Sequence, residues 1–316
     1  MVVRSPCPGG VTRPSRAVSW SGSTPLAVVG GVVWEVAMTR SGTAEPVVVG
    51  IDGSDLATAA LAWGVDAARR RSRPLRLVHT CGRTDQAAGE ELLDDAAARA
   101  ERAVPGLDVS TVLDNGHPGD ALLKQASDAS MVVLGARGRS DLSSLLAGST
   151  SLQVAMHAPC PVVVIRLLGE DALPGPSAGR VVVGVDDSPR SERAVDLAFS
   201  EAASRGVGLT AVLTWLGPDI DTDATPAHEW QQAADDEQAI LMRRLAGPRE
   251  EFPGVDLLEK VVGGDPAAAL VDESRGAELI VVGSHGRGGL GGILRGSVSH
   301  TLLHHAHCPV AVVRSR

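Results

Sequence analysis

The chain has 316 residues and a net charge of −9, with two Phe, five Trp and no Tyr. That length suffices for two domains, each burying its own core of small aliphatic side chains. The acidic balance and the scarcity of aromatic rings argue against nucleic acid or an anionic membrane as partner, because neither charge attraction nor base stacking is available. Lys124 and Lys260 are the two lysines, so a bound phosphate has to be held locally, by loops and helix ends. No uninterrupted apolar run approaches the length of a membrane span.

Residues 1–45 differ from the rest, being rich in Gly, Pro, Ser and Arg with no acidic residue before Glu35. Arg4, Arg13 and Arg16 precede the apolar run 26–33 as in a signal peptide, but Glu35 follows at once and a small-x-small cleavage pattern is missing. The better reading is a flexible or mis-assigned extension, with Met38 as the true start.

From Pro46 the pattern becomes regular. VVVGID (47–52) reads as a buried strand, 54–71 as a helix with Leu56, Ala60, Trp63 and Ala67 on one face, and LRLVHT (75–80) as the next strand. A helix over 90–104, a strand near 109–113 and a helix over 119–127 follow. MVVLG (131–135) and PVVVI (161–165) are the last two strands, with a helix over 149–157 between them. An exposed linker over 169–179 contains Pro174, Gly175 and Pro176.

The second half repeats the order. Its strands are 181–186, 209–215, 257–262, 279–283 and 309–313, and its helices 188–205, 229–245, 266–275 and 297–305. The domains are therefore 46–168 and 180–316. Five apolar strands alternating with four helices predict, in each half, an open parallel sheet with right-handed crossovers and helices on both faces. Such sheets bind ligands beyond the carboxyl ends of the strands, where the strand order reverses. The first strand ends at Asp52 or Asp186 and the fourth at Gly135 or Gly283. If those strands are neighbours, a carboxylate and a glycine loop share one crevice.

That loop is the most specific motif of the chain. Gly-x2-Gly-x9-Gly-Ser follows an apolar strand twice, as Gly135, Gly138, Gly148 and Ser149, and as Gly283, Gly286, Gly296 and Ser297. Glycines that tolerate positive φ let a backbone wrap an anion, and the helix opening at Gly-Ser adds the positive end of its dipole. Arg137 and Arg139 in the first loop, and His285, Arg287 and Arg295 in the second, add charge. Asp141 has no acidic counterpart in the second loop, so phosphate binding is expected to be weaker in the first half. Ser149 and Ser297 can reach a phosphate or serve as N-caps. Asp52 and Asp186 can accept from a ribose hydroxyl or an exocyclic amine, or cap the following helix, a role equally open to Ser54 and Ser188.

Other chemistries find little support. There is no Gly-Lys-Ser/Thr, and no G-x-G-x-x-G after the first strand. His300 and His304 have metal spacing, but the residues between them are Thr-Leu-Leu and supply no general base, so no metal site is assigned. His79 has Leu213 as its counterpart, which argues against a shared catalytic role. Nucleophile elbows and paired catalytic carboxylates are not evident. Cys7, Cys81, Cys160 and Cys308 lack C-x-x-C and zinc spacing. Cys160 and Cys308 precede matching valine-rich strands and read as small buried side chains, reduced in a cytoplasmic protein.

VVVGIDGS and VVVGVDDSP at the first strands, the doubled glycine motif, and HAPCPVVVI and HAHCPVAVV at the last strands together resemble the tandem universal stress proteins, over about residues 46–316. The resemblance implies a sheet order of 3-2-1-4-5 and a site for ATP or a related adenine nucleotide, with or without Mg2+. It implies that Asp52 and Asp186 contact the nucleoside, that Thr80 and Thr214 approach the adenine, and that the glycines and Gly-Ser carry the phosphates. Thr150 stands where the second half has Val298, beside those serines, and Asp187 where the first has Gly53. It also implies pairing through the last strands, both of the two halves about a pseudo-two-fold axis and of a homodimer. The expected function is a nucleotide-dependent stress-response module, with a slow ATPase or a nucleotide-free chaperone-like scaffold as alternatives.

Overall fold

A computed structural model describes residues 44–82, 85–136, 148–166, 174–188, 191–215, 227–284 and 297–314, together with the backbone of three strands nearer the N-terminus. Arg137, Gly138, Gly286, Arg287 and Gly296, and with them Arg139, Asp141, His285 and Arg295, lie outside the described residues. The chain divides into two units at Thr43 and Ala44. In the first, β1 (Val18–Ser21), β2 (Thr24–Val29) and β3 (Val32–Glu35) form an antiparallel sheet in that order.

The second unit holds the repeat. Its first half runs β4 (Val47–Gly50), α1 (Asp55–Arg71), β5 (Leu75–Thr80), α2 (Gln86–Ala103), β6 (Val109–Asp114), α3 (Pro118–Gln125), β7 (Met131–Gly135), α4 (Ser149–His157) and β8 (Val162–Ile165). Its second half runs β9 (Val181–Val185), α5 (Glu192–Arg205), β10 (Leu209–Trp215), α6 (Ala227–Glu251), β11 (Leu257–Gly263), α7 (Pro266–Glu273), β12 (Leu279–Gly283), α8 (Ser297–His305) and β13 (Val310–Val313).

Within each half the strands are parallel in the order 3-2-1-4-5, as β6-β5-β4-β7-β8 and β11-β10-β9-β12-β13. The two expected sheets are joined: β8 and β13 pair antiparallel, Val162 opposite Val312 and Val164 opposite Val310, giving one ten-stranded sheet. Both edges of each last strand are thus occupied within the chain. A valine-rich edge that would otherwise be exposed thus finds its partner within the chain, as expected of two halves pairing about a pseudo-two-fold axis.

Runs of β-branched residues suit strands buried on both faces, and Val47, Val48 and Val49 are fully buried. Alternate side chains enter two cores. Val47 and Val49 pack with α1, α2, α5 and α6 on one face, and Val48 packs with α3, α4, α7 and α8 on the other. α6 continues beyond its expected end through Gly247 and Pro248, and Phe252 just past it stacks on Phe199 of α5 at 6.0 Å between ring centroids.

Reciprocal arginines fasten the halves. Arg166, just after β8, donates to the carbonyls of Leu303 and His304 at the end of α8, the latter at 2.6 Å. Arg314, just after β13, donates to the carbonyl of His157 at the end of α4 at 3.0 Å. Each places a cation where unsatisfied carbonyls and the helix dipole favour one. Pro174, Pro176, Ala178 and Gly179 of the linker are exposed, and Ser177 alone among its described residues is anchored in the core. Ser177 is fully buried, hydrogen-bonded to Thr210 at 3.0 Å and to Glu273 at 2.5 Å, and Lys260 donates to both Glu273 oxygens at 2.9 Å.

Candidate functional site

β4 has β5 on one side and β7 on the other, so the strand order of the first half reverses between β4 and β7. At their carboxyl ends a cleft of ≈ 990 Å³ opens, and Asp52, Thr80, Gly135, Gly148, Ser149 and Thr150 all line it. These are all the candidates of the first half that fall within the described residues.

Two structural features shape the cleft. Asp52 leaves β4 and accepts through Oδ1 from the amide and hydroxyl of Ser54, at 3.0 and 2.6 Å. Ser54 in turn accepts from the amide of Ala57 at 3.1 Å and is the N-cap of α1. The cap is therefore Ser54, and Asp52 holds it in place with one oxygen. Oδ2 of Asp52 has no hydrogen bond among the described residues.

The second feature is the start of α4. Its N-cap is Gly148, which offers no side-chain acceptor. Ser149 is the first helical residue, so the alternative role of N-cap does not apply to it. Among the described residues the amides of Ser149, Thr150 and Ser151, the donors of the first turn, meet no acceptor. The buried Ser151 hydroxyl contacts the carbonyls of Ala136 at 3.0 Å and Gly148 at 2.9 Å, and the Gly148 amide reaches Ala136 at 2.5 Å. These bonds pin the two ends of the glycine loop together. Gly135 is not a positive-φ residue. A Cβ there would lie 2.8 Å from Cβ of Leu56 and 3.1 Å from its carbonyl carbon, so glycine is required by the close approach of β7 to α1.

Other residues of the cleft carry no signal in the repeat. Nδ1 of His79 lies 2.6 Å from the carbonyl oxygen of Ile51. A Cβ on Gly89 of α2 would meet His79 at 3.1 Å and Sγ of Cys81 at 3.3 Å. Asp85, Glu91 and Asp95 complete an acidic wall. His79 and Cys81 are matched by Leu213 and Trp215 in the second half, so a search for doubled residues passes over them.

The second half reproduces the frame. β9 lies between β10 and β12, and Oδ1 of Asp186 accepts from the amide and hydroxyl of Ser188 at 3.1 and 2.6 Å. Thr214 pairs with Val262 near the end of β10, Gly283 ends β12, and Ser297 and Val298 open α8. The rim differs. Gly53 has φ +80°, whereas Asp187 in its place keeps negative φ and accepts from Arg244 of α6 at its carbonyl, 2.5 Å, and its carboxylate, 3.2 Å.

Among the described residues no group of three or more His, Cys, Asp or Glu is placed to hold a metal ion. The rings of His300 and His304 lie 4.4 Å apart, tilted. Burial first, then His300, His305 and Arg166, holds His304 below its usual pKa. Burial pushes the Cys160 and Cys308 thiols up to about 12, which leaves them unreactive. Among the described residues no helix is long and apolar enough to cross a membrane.

The comparisons follow this division. The model of the universal stress protein family matches twice, over residues 43–166 and 178–314. Universal stress protein Rv2005c of Mycobacterium tuberculosis is 39% identical, the match spanning 85% of this chain and 96% of the relative. Universal stress protein Rv2623 of the same organism is 36% identical, over 88% and 99%. A solved universal stress protein from Archaeoglobus fulgidus superposes with a TM-score of 0.55 at 19% identity, over 85% of this chain and 98% of that one. A protein of unknown function from Pseudomonas aeruginosa superposes with a TM-score of 0.61 at 17% identity, over 86% and 93%. Those two structures speak for the fold across both halves. With a doubled family match ending each half at its last strand, the chain belongs to the universal stress protein family.

Proposed function

We propose that the chain is an adenine-nucleotide-binding module of the cytoplasm, taking ATP at the strand switch of each half and altering its conformation or partners when occupied. The observation that carries this reading is the pairing, in one cleft, of a half-committed carboxylate at Asp52 with the bare first turn of α4. A carboxylate oxygen suits a ribose hydroxyl or amine, and free amides at a helix N-terminus suit a phosphate. Asp186 and α8 take the same roles in the second half. Thr80 and Thr214 are assigned to the adenine, and Gly138 and Gly286 of the repeated motif to the phosphates. Mg2+ enters only as the counter-ion that a triphosphate brings with it.

Binding to the folded state alone stabilises it by mass action, so occupancy is readable as resistance to unfolding. Mass spectrometry of small molecules carried through purification tests the reading; an adenine nucleotide is expected, and a protein that neither carries nor takes up one contradicts it. Steady-state phosphate release separates a binding module from a slow ATPase: turnover lost on altering a glycine loop would make it an enzyme. Asp141 predicts that Gly286→Ala loses more binding than Gly138→Ala in calorimetry.

A further inference from the structure

The ends of α1 and α5 meet between the two halves around Glu201, a carboxylate only 1% exposed. Arg71 donates to its Oε1 at 2.5 Å, and Arg205 donates through Nε to its Oε2 at 2.9 Å. Nη2 of Arg70 lies 4.0 Å from that same Oε2. The repeat that carries Val47 to Val181 carries Arg71 to Arg205, but Ala67 to Glu201, Arg70 to Ser204 and Trp63 to Leu197. Two related arginines thus share one acid, and Arg70 and Trp63 are additions of the first half. The Arg205 guanidinium lies over the Trp63 ring, 5.1 Å from its centroid. The other acids nearby are peripheral: Asp66, paired with Arg69 and Arg70, and Glu278, 3.9 Å from Arg205, are each nearly half exposed.

Three donors of this cluster have no hydrogen-bond partner among the described residues and no access to solvent: Nη2 of Arg70, Nη2 of Arg205 and Nε1 of Trp63. The side chains of Arg70 and Arg205 are 10% and 9% exposed. Buried N–H groups left unpaired are rare, and on a cation they are the more unfavourable. All three orphans are donors, and beneath the half-exposed Asp66 and Glu278 three guanidiniums share a single buried carboxylate, so the buried layer is positive in excess. A water molecule would accept from the donors but leave the charge excess; an anion answers both.

We propose that the seam between α1 and α5 binds a small monovalent inorganic anion of the chloride class, held by Arg70, Arg205 and Trp63, as a tie between the two halves. The test uses the full chain, with chloride and bromide as probes. Thermal unfolding is followed as gluconate is replaced by chloride at constant ionic strength, for the natural protein and for Trp63→Phe, which removes the indole N–H but keeps the ring. The natural protein should gain roughly 5 °C in Tm at saturating chloride, and Trp63→Phe should lose most of that gain. A crystal soaked in bromide should show an anomalous peak within hydrogen-bond reach of the three donors. Equal chloride responses in the two proteins, or a bromide-soaked crystal with only water at the seam, would overturn the proposal.

Discussion

In the first half four residues, 51–54, carry the chain from β4 into α1, through the positive φ of Gly53 and the cap at Ser54. In the second half six residues, 186–191, separate β9 from α5, and Arg244 reaches across from α6 to hold Asp187. The strands beneath are arranged alike: the order is the same, and both aspartates grip a serine two residues on. A duplicated sheet therefore fixes where each strand switch lies, while the turns and side chains around it are free to diverge. The ends of the second strand of each half show the same contrast, with His79 and Cys81 against Leu213 and Trp215.

The contrast between the halves is broken most severely at Glu201, which has Ala67 as its counterpart. Burial pushes its carboxyl pKa up, but Arg71 and Arg205 outweigh that and hold it below the usual range. Glu201→Ala leaves those arginines facing one another, and should remove about 3–5 kcal/mol from stability in denaturant unfolding. Unchanged stability would show that the seam is solvated rather than buried.

Gly135→Ala places a methyl against the backbone of Leu56. It should destabilise by about 1–3 kcal/mol and weaken nucleotide binding in the first half alone, as read by calorimetry. Arg244→Ala is milder. Its partners Asp187 and Glu192 are both substantially exposed, so less than about 1 kcal/mol is expected. Its effect on affinity should be confined to the second site, and an equal loss at both sites would refute the asymmetry drawn here.

The last prediction concerns pH. His304 has a lowered pKa in the folded state, so the unfolded chain takes up its proton first. Stability is then highest above about pH 6.5, the ordinary histidine value, and falls as pH drops below it toward the folded value. His304→Gln should flatten the acid limb when Tm is followed against pH.

Periodicity was sufficient wherever a segment's environment is uniform. The strands at 75–80, 131–135, 209–215 and 279–283 and the helices at 149–157 and 297–305 have the bounds their patterns predict. It failed where a distant group decides. α6 passes Pro248 because Phe199 waits for Phe252, and α5 begins only at Glu192, past a turn in which Ser188 bonds Asp186 and Arg244 holds Asp187. The joining of β8 to β13 follows from hydrophobic edges, but the Arg166 and Arg314 latches do not: an arginine after a strand looks like ordinary surface charge. In the cleft the repeated residues were legible because they recur. Gly135 is required by close packing against Leu56 rather than by a positive φ, and the unrepeated His79 and Cys81 carry no doubled signal that would mark them as part of the cleft.

The central proposal is that a nucleotide sits at each strand switch, beside Asp52 and Asp186. Calorimetric titration of ATP into the natural chain, Asp52→Ala, Asp186→Ala and the double variant tests it most directly. Two binding events are predicted for the natural chain, the weaker one in the first half, with one event lost in each single variant and both in the double. Undiminished binding of ATP by the double variant would contradict it.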